Sequence, residues 1–145
     1  MENYFAAETL IIERLKDQVT DLRVVQGAGS AEEVFKGSRA MPIVHVLHDG
    51  DEASEDGSHR AGEDQLVVQR WLIILSVQSH RESADGLAVR KEAGPLLMAI
   101  TNALQGWKPT TGLTPLIKVS SPAARYQDNH GHFFLAFTTR ITHRG

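Results

Sequence analysis

The chain has 145 residues, 41% apolar and 23% charged, with a formal charge of −3, which is the composition and size of one ordinary globular domain spanning 1–145. It contains no cysteine, which excludes disulfides, thiolate metal sites and cysteine nucleophiles. No apolar run reaches the ~18 residues of a membrane span, and no basic stripe marks a dedicated nucleic-acid binder. The start, Met-Glu-Asn-Tyr-Phe, lacks the basic segment and small-residue cleavage site of a secretory signal, so none is expected.

Residues 4–19 read as an amphipathic helix whose apolar stripe is Phe5, Ile12, Leu15 and Val19. Leu22, Val24 and Val25 form a short strand ending at Gly27-Ala28-Gly29. Ser30-Ala31-Glu32-Glu33 is a capping box, and it starts a single helical turn that stops at Gly37. Met41 to His48 is a strand, with Pro42 tolerated only at its beginning. From Asp49 to Asp64 there are seven acids against one arginine. Such a segment buries too little to offset its ordering entropy, so a mobile acidic loop is expected over 49–64.

Gln65 to Ser79 carries the strongest strand pattern. Val67, Trp71, Ile73, Leu75 and Val77 occupy odd positions, and Arg70, Ser76 and Gln78 even ones. With the preceding strand it makes a long hairpin with an acidic, projecting tip. Residues 83–105 form a second main helix, with Val89, Ala93, Leu96, Leu97, Ile100 and Leu104 as its stripe and Gly106 as its C-cap. Gly94-Pro95 inside it predicts a kink. Leu113 to Ser120 and His132 to Thr142 read as two further strands, the latter with Phe133, Leu135, Phe137 and Ile141 on one face.

Strands joined mainly as hairpins, with helices outside the strand runs, predict an α+β fold. Its sheet is mostly antiparallel, with a long hairpin and two main helices packed on one face. The expected core includes Trp71, Ile73, Leu97, Leu104, Trp107 and Phe137.

Few residues suggest chemistry. On a strand, His45 and His48 point to opposite faces. His130 and His132 share a face but have only Asp128 nearby, which is not a metal ligand set. Counted from Asp49, a calcium-loop template meets Ala53 at its fifth position, Ser54 where glycine is needed and Arg60 where glutamate must close it. There is no Gly-x-Ser-x-Gly elbow, and Gly27-Ala28-Gly29 lacks the third glycine of a dinucleotide loop. No catalytic residue, metal or cofactor is therefore expected. What stands out is polarised charge: −6 over residues 49–64 and +4 over 106–145, a pattern suited to docking between subunits or to protein partners. Asp49, Asp51, Glu52, Glu55 and Asp56 at the hairpin tip are candidate contact residues. Lys118, Arg125 and Arg140 are a candidate complementary basic surface.

Particular residues add a resemblance. They are the N-terminal amphipathic helix, the strand Trp71-Leu72-Ile73-Ile74-Leu75-Ser76-Val77 and the helix containing Ala93-Gly94-Pro95-Leu96-Leu97. That helix ends in Ala103-Leu104-Gln105-Gly106-Trp107-Lys108-Pro109, and Phe133-Phe134-Leu135-Ala136-Phe137-Thr138-Thr139 lies in the closing strand. Over roughly residues 4–142 this order resembles the tail terminator (tail completion) proteins of long-tailed bacteriophages. The resemblance implies a homohexameric ring that caps the finished tail tube, stops its polymerisation and offers a surface for joining to head connector proteins. It also implies a place in the virion, at the head-proximal end of the tail, after synthesis in the host bacterial cytoplasm. The implied partners are further copies of the chain, the tail tube protein and the connector, with DNA only as cargo passing through the lumen and no membrane. The competing readings are a small protein- or peptide-binding module acting as a monomer and, behind it, a metal-dependent enzyme.

Overall fold

A computed structural model describes residues 3–36, 41–53, 65–79, 86–127 and 129–143. In chain order the elements are α1 (Ala6–Gln18), β1 (Val24–Gly27), α2 (Ala31–Lys36), β2 (Ile43–Ala53), β3 (Gln65–Gln78), α3 (Leu87–Leu104), β4 (Ile117–Val119), β5 (Arg125–Gln127) and β6 (His130–His143). The six strands form one sheet in the order β1-β2-β3-β6-β4, with β5 also paired to β6. Every pairing is antiparallel except β1 with β2. The fold is α+β.

The alternation of β3 places Trp71, Ile73, Leu75 and Val77 on one face, and Val44, Val46, Phe133, Leu135 and Phe137 join them through the strand registers. α1 and α3 cover that face. α1 contributes Ala7, Ile11 and Leu15, four residues apart and all buried, and its C-cap Val19 is buried beside them, the spacing that keeps one helical face toward a core. Phe5 is not part of this stripe. It is the N-cap residue, outside helical geometry, and is 48% exposed. α3 runs unbroken through the exposed Gly94-Pro95 pair. Its end is turned by Gly106, whose φ of +79° suits glycine and whose N–H donates to the Leu116 carbonyl at 2.8 Å. Arg14 fastens α1 to that end: its Nε donates to the Ala103 carbonyl at 3.0 Å and its guanidinium lies 5.2 Å from the Trp107 ring. Leu104 is fully buried, whereas Leu97 and Trp107 are half-buried against the core.

The second face of the sheet is also covered at one end. Parallel neighbours need a crossover, and α2 is the crossover between β1 and β2, so it lies opposite α1 and α3. Not all helices share one face. Ser30 and Glu33 start α2 as a capping box: the Glu33 N–H donates to Ser30 Oγ at 3.3 Å, and the Gly29 N–H donates to the Glu33 carboxylate at 2.9 Å. Val34 seals Leu47, Leu72, Ile74 and Ala136, while Phe35 packs edge-on to His132 and Phe134, ring centres 5.0 and 6.1 Å away.

Beneath Phe35 lies buried His132. Its Nδ1 is 2.7 Å from Ser76 Oγ and its Nε2 is 3.3 Å from Gln127 Oε1. The Gln127 oxygen can only accept, so Nε2 carries the hydrogen and Nδ1 accepts from the serine hydroxyl. Burial, reinforced by His130, Arg125 and His45, pushes the His132 pKa down to about 4. An unfolded histidine titrates near ~6.5, so between these values the unfolded chain binds the extra proton. Stability from this site is complete above the upper value and is lost as pH falls toward the lower one. Urea unfolding of the wild type should therefore weaken across that window, and His132→Gln should flatten the pH dependence there. Parallel curves for the two proteins would contradict this account.

Candidate functional site

β2 extends five residues beyond its expected end, to Ala53, so the acidic segment does not begin as a loop at Asp49. Backbone pairing to β3 continues through a bulge: His48 pairs with Trp71 and Asp51 with Gln69, leaving Asp49 and Gly50 opposite Arg70 alone. Gly50 takes a φ of +92°, a conformation that glycine adopts without steric cost. The remaining tip, with Glu55 and Asp56, lies outside the described residues.

The extra residue sorts the acids onto two faces. Asp49 and Glu52 lie on the α2 side. Asp49 Oδ2 accepts from Arg70 Nε at 2.9 Å, and Arg70 also donates to the Ser120 carbonyl at 3.0 Å. Asp51 lies on the α1/α3 side and accepts from the Tyr4 hydroxyl at 2.8 Å, with His48 Nε2 also 2.8 Å away. This hydrogen bond, followed by partial burial and the carboxylate charge, raises the Tyr4 pKa above its ordinary value. His48 lies between Phe5, which it meets edge to face, and Trp71, to which it is tilted, each 5.1 Å between ring centres. Gln69 completes the clamp: its Nε2 donates to the Tyr4 carbonyl at 2.8 Å, and its Oε1 accepts from Trp71 Nε1 at 3.3 Å. The N-terminal segment is thereby fastened to the base of the hairpin.

On the α2 side, beyond the reach of α2 itself, no described residue covers the sheet. A groove of about 380 Å³ runs between Asp49, Glu52, Val68, Arg70, Val119 and Thr138. Ile117, paired with Thr138 in the sheet, is 53% exposed at its edge. Its apolar lining is Val68 and Val119, both half-buried, set among charged and polar side chains.

The three basic candidates do not form one surface. Arg140 pairs with Val68 and so neighbours the groove. Lys118 pairs with Phe137 and points to the α1/α3 side, its N–H held by the Gln105 side chain at 2.7 Å. Arg125 is at the far end of the sheet, its guanidinium 4.3 Å from the Phe35 ring centre. His45 and His48 fall on opposite faces, and among the described residues no group of three His, Asp or Glu side chains converges to hold a metal. Sequence reasoning missed the Tyr4–Asp51–His48 clamp; an Asp-Gly pair inside an apparent strand continuation was its one signal.

Open space surrounds a Cβ added at Gly50, so substitution there tests the backbone alone. Gly50→Ala should cost about 1–2 kcal/mol, the penalty of left-handed backbone for an L-residue, read as a lower urea midpoint. An unchanged midpoint would argue against the bulge.

Three comparisons bear on what such a molecule is. No curated protein matches the chain. Among solved structures, a chain from the "Virion of native gene transfer agent (GTA) particle" superposes with a TM-score of 0.61 at 18% identity, covering 97% of this chain and 100% of that one. At that identity the likeness shows a shared fold. The sequence model of the family described as phage tail terminator protein matches residues 1–145. The chain belongs to the phage tail terminator family, structural virion proteins of the tail.

Proposed function

We propose that six copies of this chain form a ring that caps the finished tail tube, ends its polymerisation and presents a surface to the connector proteins of the head. The observation that carries this reading is the family match over the full 1–145 range. The geometry supports it physically. Helices shield the α1/α3 face, whereas the α2 face is shielded only near Val34 and Phe35 and stays open around Val68, Val119 and Ile117. A chain that leaves strand-borne apolar surface uncovered gains stability when a neighbour covers it.

In this reading the ring sits at the head-proximal end of the tail and is a virion component. DNA crosses its lumen as cargo and is not read. The chain acts without cofactor or catalytic residue, through contacts with itself, the tube protein and the connector. Asp51 belongs to the clamp on Tyr4 and His48, so it holds the hairpin base; contacts with tube or connector fall to the tip beyond Ala53, which carries Glu55 and Asp56.

The test is a tube-growth assay. Purified chain added to polymerising tail tube protein should arrest elongation and appear in negative-stain images as a density on one tube end. Removing residues 55–62 keeps Asp51 and the bulge, so that variant should fold with an unchanged urea midpoint yet arrest growth poorly. Unchanged elongation with the intact chain present would overturn the capping function.

A further inference from the structure

α2 is held to the sheet by fewer buried residues than either other helix. It buries one, Val34, against three in α1 and five in α3, and a helix of six residues has no stability of its own in water. Three things keep it in place. They are the capping box of Ser30 and Glu33, Val34 over Leu47, Leu72, Ile74 and Ala136, and the Phe35 ring against His132, Phe134 and Arg125. An element attached by so little apolar contact opens locally at a lower cost than global unfolding.

The sheet beneath α2 is polar where the rest of that row is apolar. His132, Ser76 and His45 are all buried, and the Gln26 amide lies 3.0 Å from His45 Nε2. His132 already uses both ring nitrogens, toward Ser76 and Gln127. Protonating Nδ1 breaks neither contact, because the serine hydroxyl can turn and accept. The cost is electrostatic instead. Arg125 from β5, His130 from β6 and His45 from β2 all act against a charge on His132. β3 brings only the neutral Ser76, and the charged residues of α2, Glu32, Glu33 and Lys36, are exposed. No described carboxylate offsets an imidazolium there, and a buried charge without a partner is costly until water reaches it.

We propose that α2 is an acid-released latch: protonation of His132 favours a form in which α2 has left the sheet while β3 and β6 stay paired, uncovering Leu47, Leu72, Ile74 and Ala136. Phe35 is the aromatic cover that leaves with it, its ring centre 5.0 Å from that of the imidazole. α1 and α3 seal the other face, so the ladder keeps one core when α2 departs. The closed form holds His132 neutral down to about pH 4, whereas a hydrated histidine titrates near ~6.5. The open form therefore binds the extra proton between these values. The hold on α2 is complete above the upper value and weakens as pH falls below it. By this linkage the opening constant rises about tenfold from pH 7.5 to pH 5.5, where ordinary carboxylates, near ~4.3, remain ionised.

Hydrogen exchange of the full chain at pH 7.5 and 5.5, read by mass spectrometry and corrected for the intrinsic effect of pH, reports the latch directly. Amides of residues 31–36 should lose protection about tenfold at pH 5.5, while those of 73–75 and 135–137 keep theirs. His132→Gln should abolish the difference between the two pH values, whatever it does to protection at pH 7.5. Glu33→Gln keeps a carbonyl acceptor in the capping box at every pH and should leave the difference in place. Equal protection of 31–36 at both pH values in the wild type would overturn the proposal. So would parallel loss in α2 and the β3–β6 ladder, which would make the acid effect global. A difference that survives His132→Gln would also overturn it, by assigning the release to another group.

Discussion

Fourteen consecutive residue pairs, from Gln65 with His143 to Gln78 with His130, join β3 to β6 in one unbroken antiparallel ladder. Every other element is placed by it. β2 flanks it on one side and β4 and β5 on the other, and its two side-chain rows define the two cores. The odd row, with Trp71 and Phe137 fully buried, seats α1 and α3. The even row, with Leu72, Ile74 and Ala136, seats α2 at one end and is open at the other. One close approach is built into the ladder: a Cβ at Gly131 would fall 2.5 Å from Val89 and 2.8 Å from Phe133, so α3 and β6 pack at a distance that only glycine permits.

Among the described residues, that ladder is left uncovered at one end of its even row. α2 has six residues, about 9 Å of helix at 1.5 Å per residue, too short to shield strands several times that length. The bulge at Gly50 then divides the acids at the open end. Asp51 turns inward to fasten Tyr4 and His48, and Asp49 and Glu52 remain beside the groove. One inserted residue thus separates the carboxylate of the clamp from those of Asp49, paired with Arg70, and Glu52 on the other face.

The elements with strong period or strong punctuation were legible in the sequence. Odd-position apolar residues located β3, the i, i+3/i+4 stripe located α3, and Ser30 with Glu33 located α2. What failed were features set by neighbours in space. β1 and β2 are parallel because α2 crosses between them, and a four-residue strand carries no mark of direction. β5 is three residues long, below the length at which alternation can be read. The acidic run looked like loop because its charges were weighed as solvated, whereas backbone pairing to β3 holds residues 49–53 in a strand regardless of their side chains. The run Trp71-Leu72-Ile73-Ile74-Leu75 is apolar on both faces, which fits a strand covered on both sides, but alternation alone marked only its odd row. The basic candidates were the least legible: Lys118, Arg125 and Arg140 are close in composition but fall at three separate places on the sheet.

The central claim is that this chain closes on itself as a ring. Native mass spectrometry of the full chain, alone and recovered from tail tube ends, with negative-stain imaging of the same samples, tests it most directly. The account predicts a single closed six-subunit species with a central hole. A chain that remains monomeric both free and at tube ends, or that grows into open filaments of no fixed size, would contradict it.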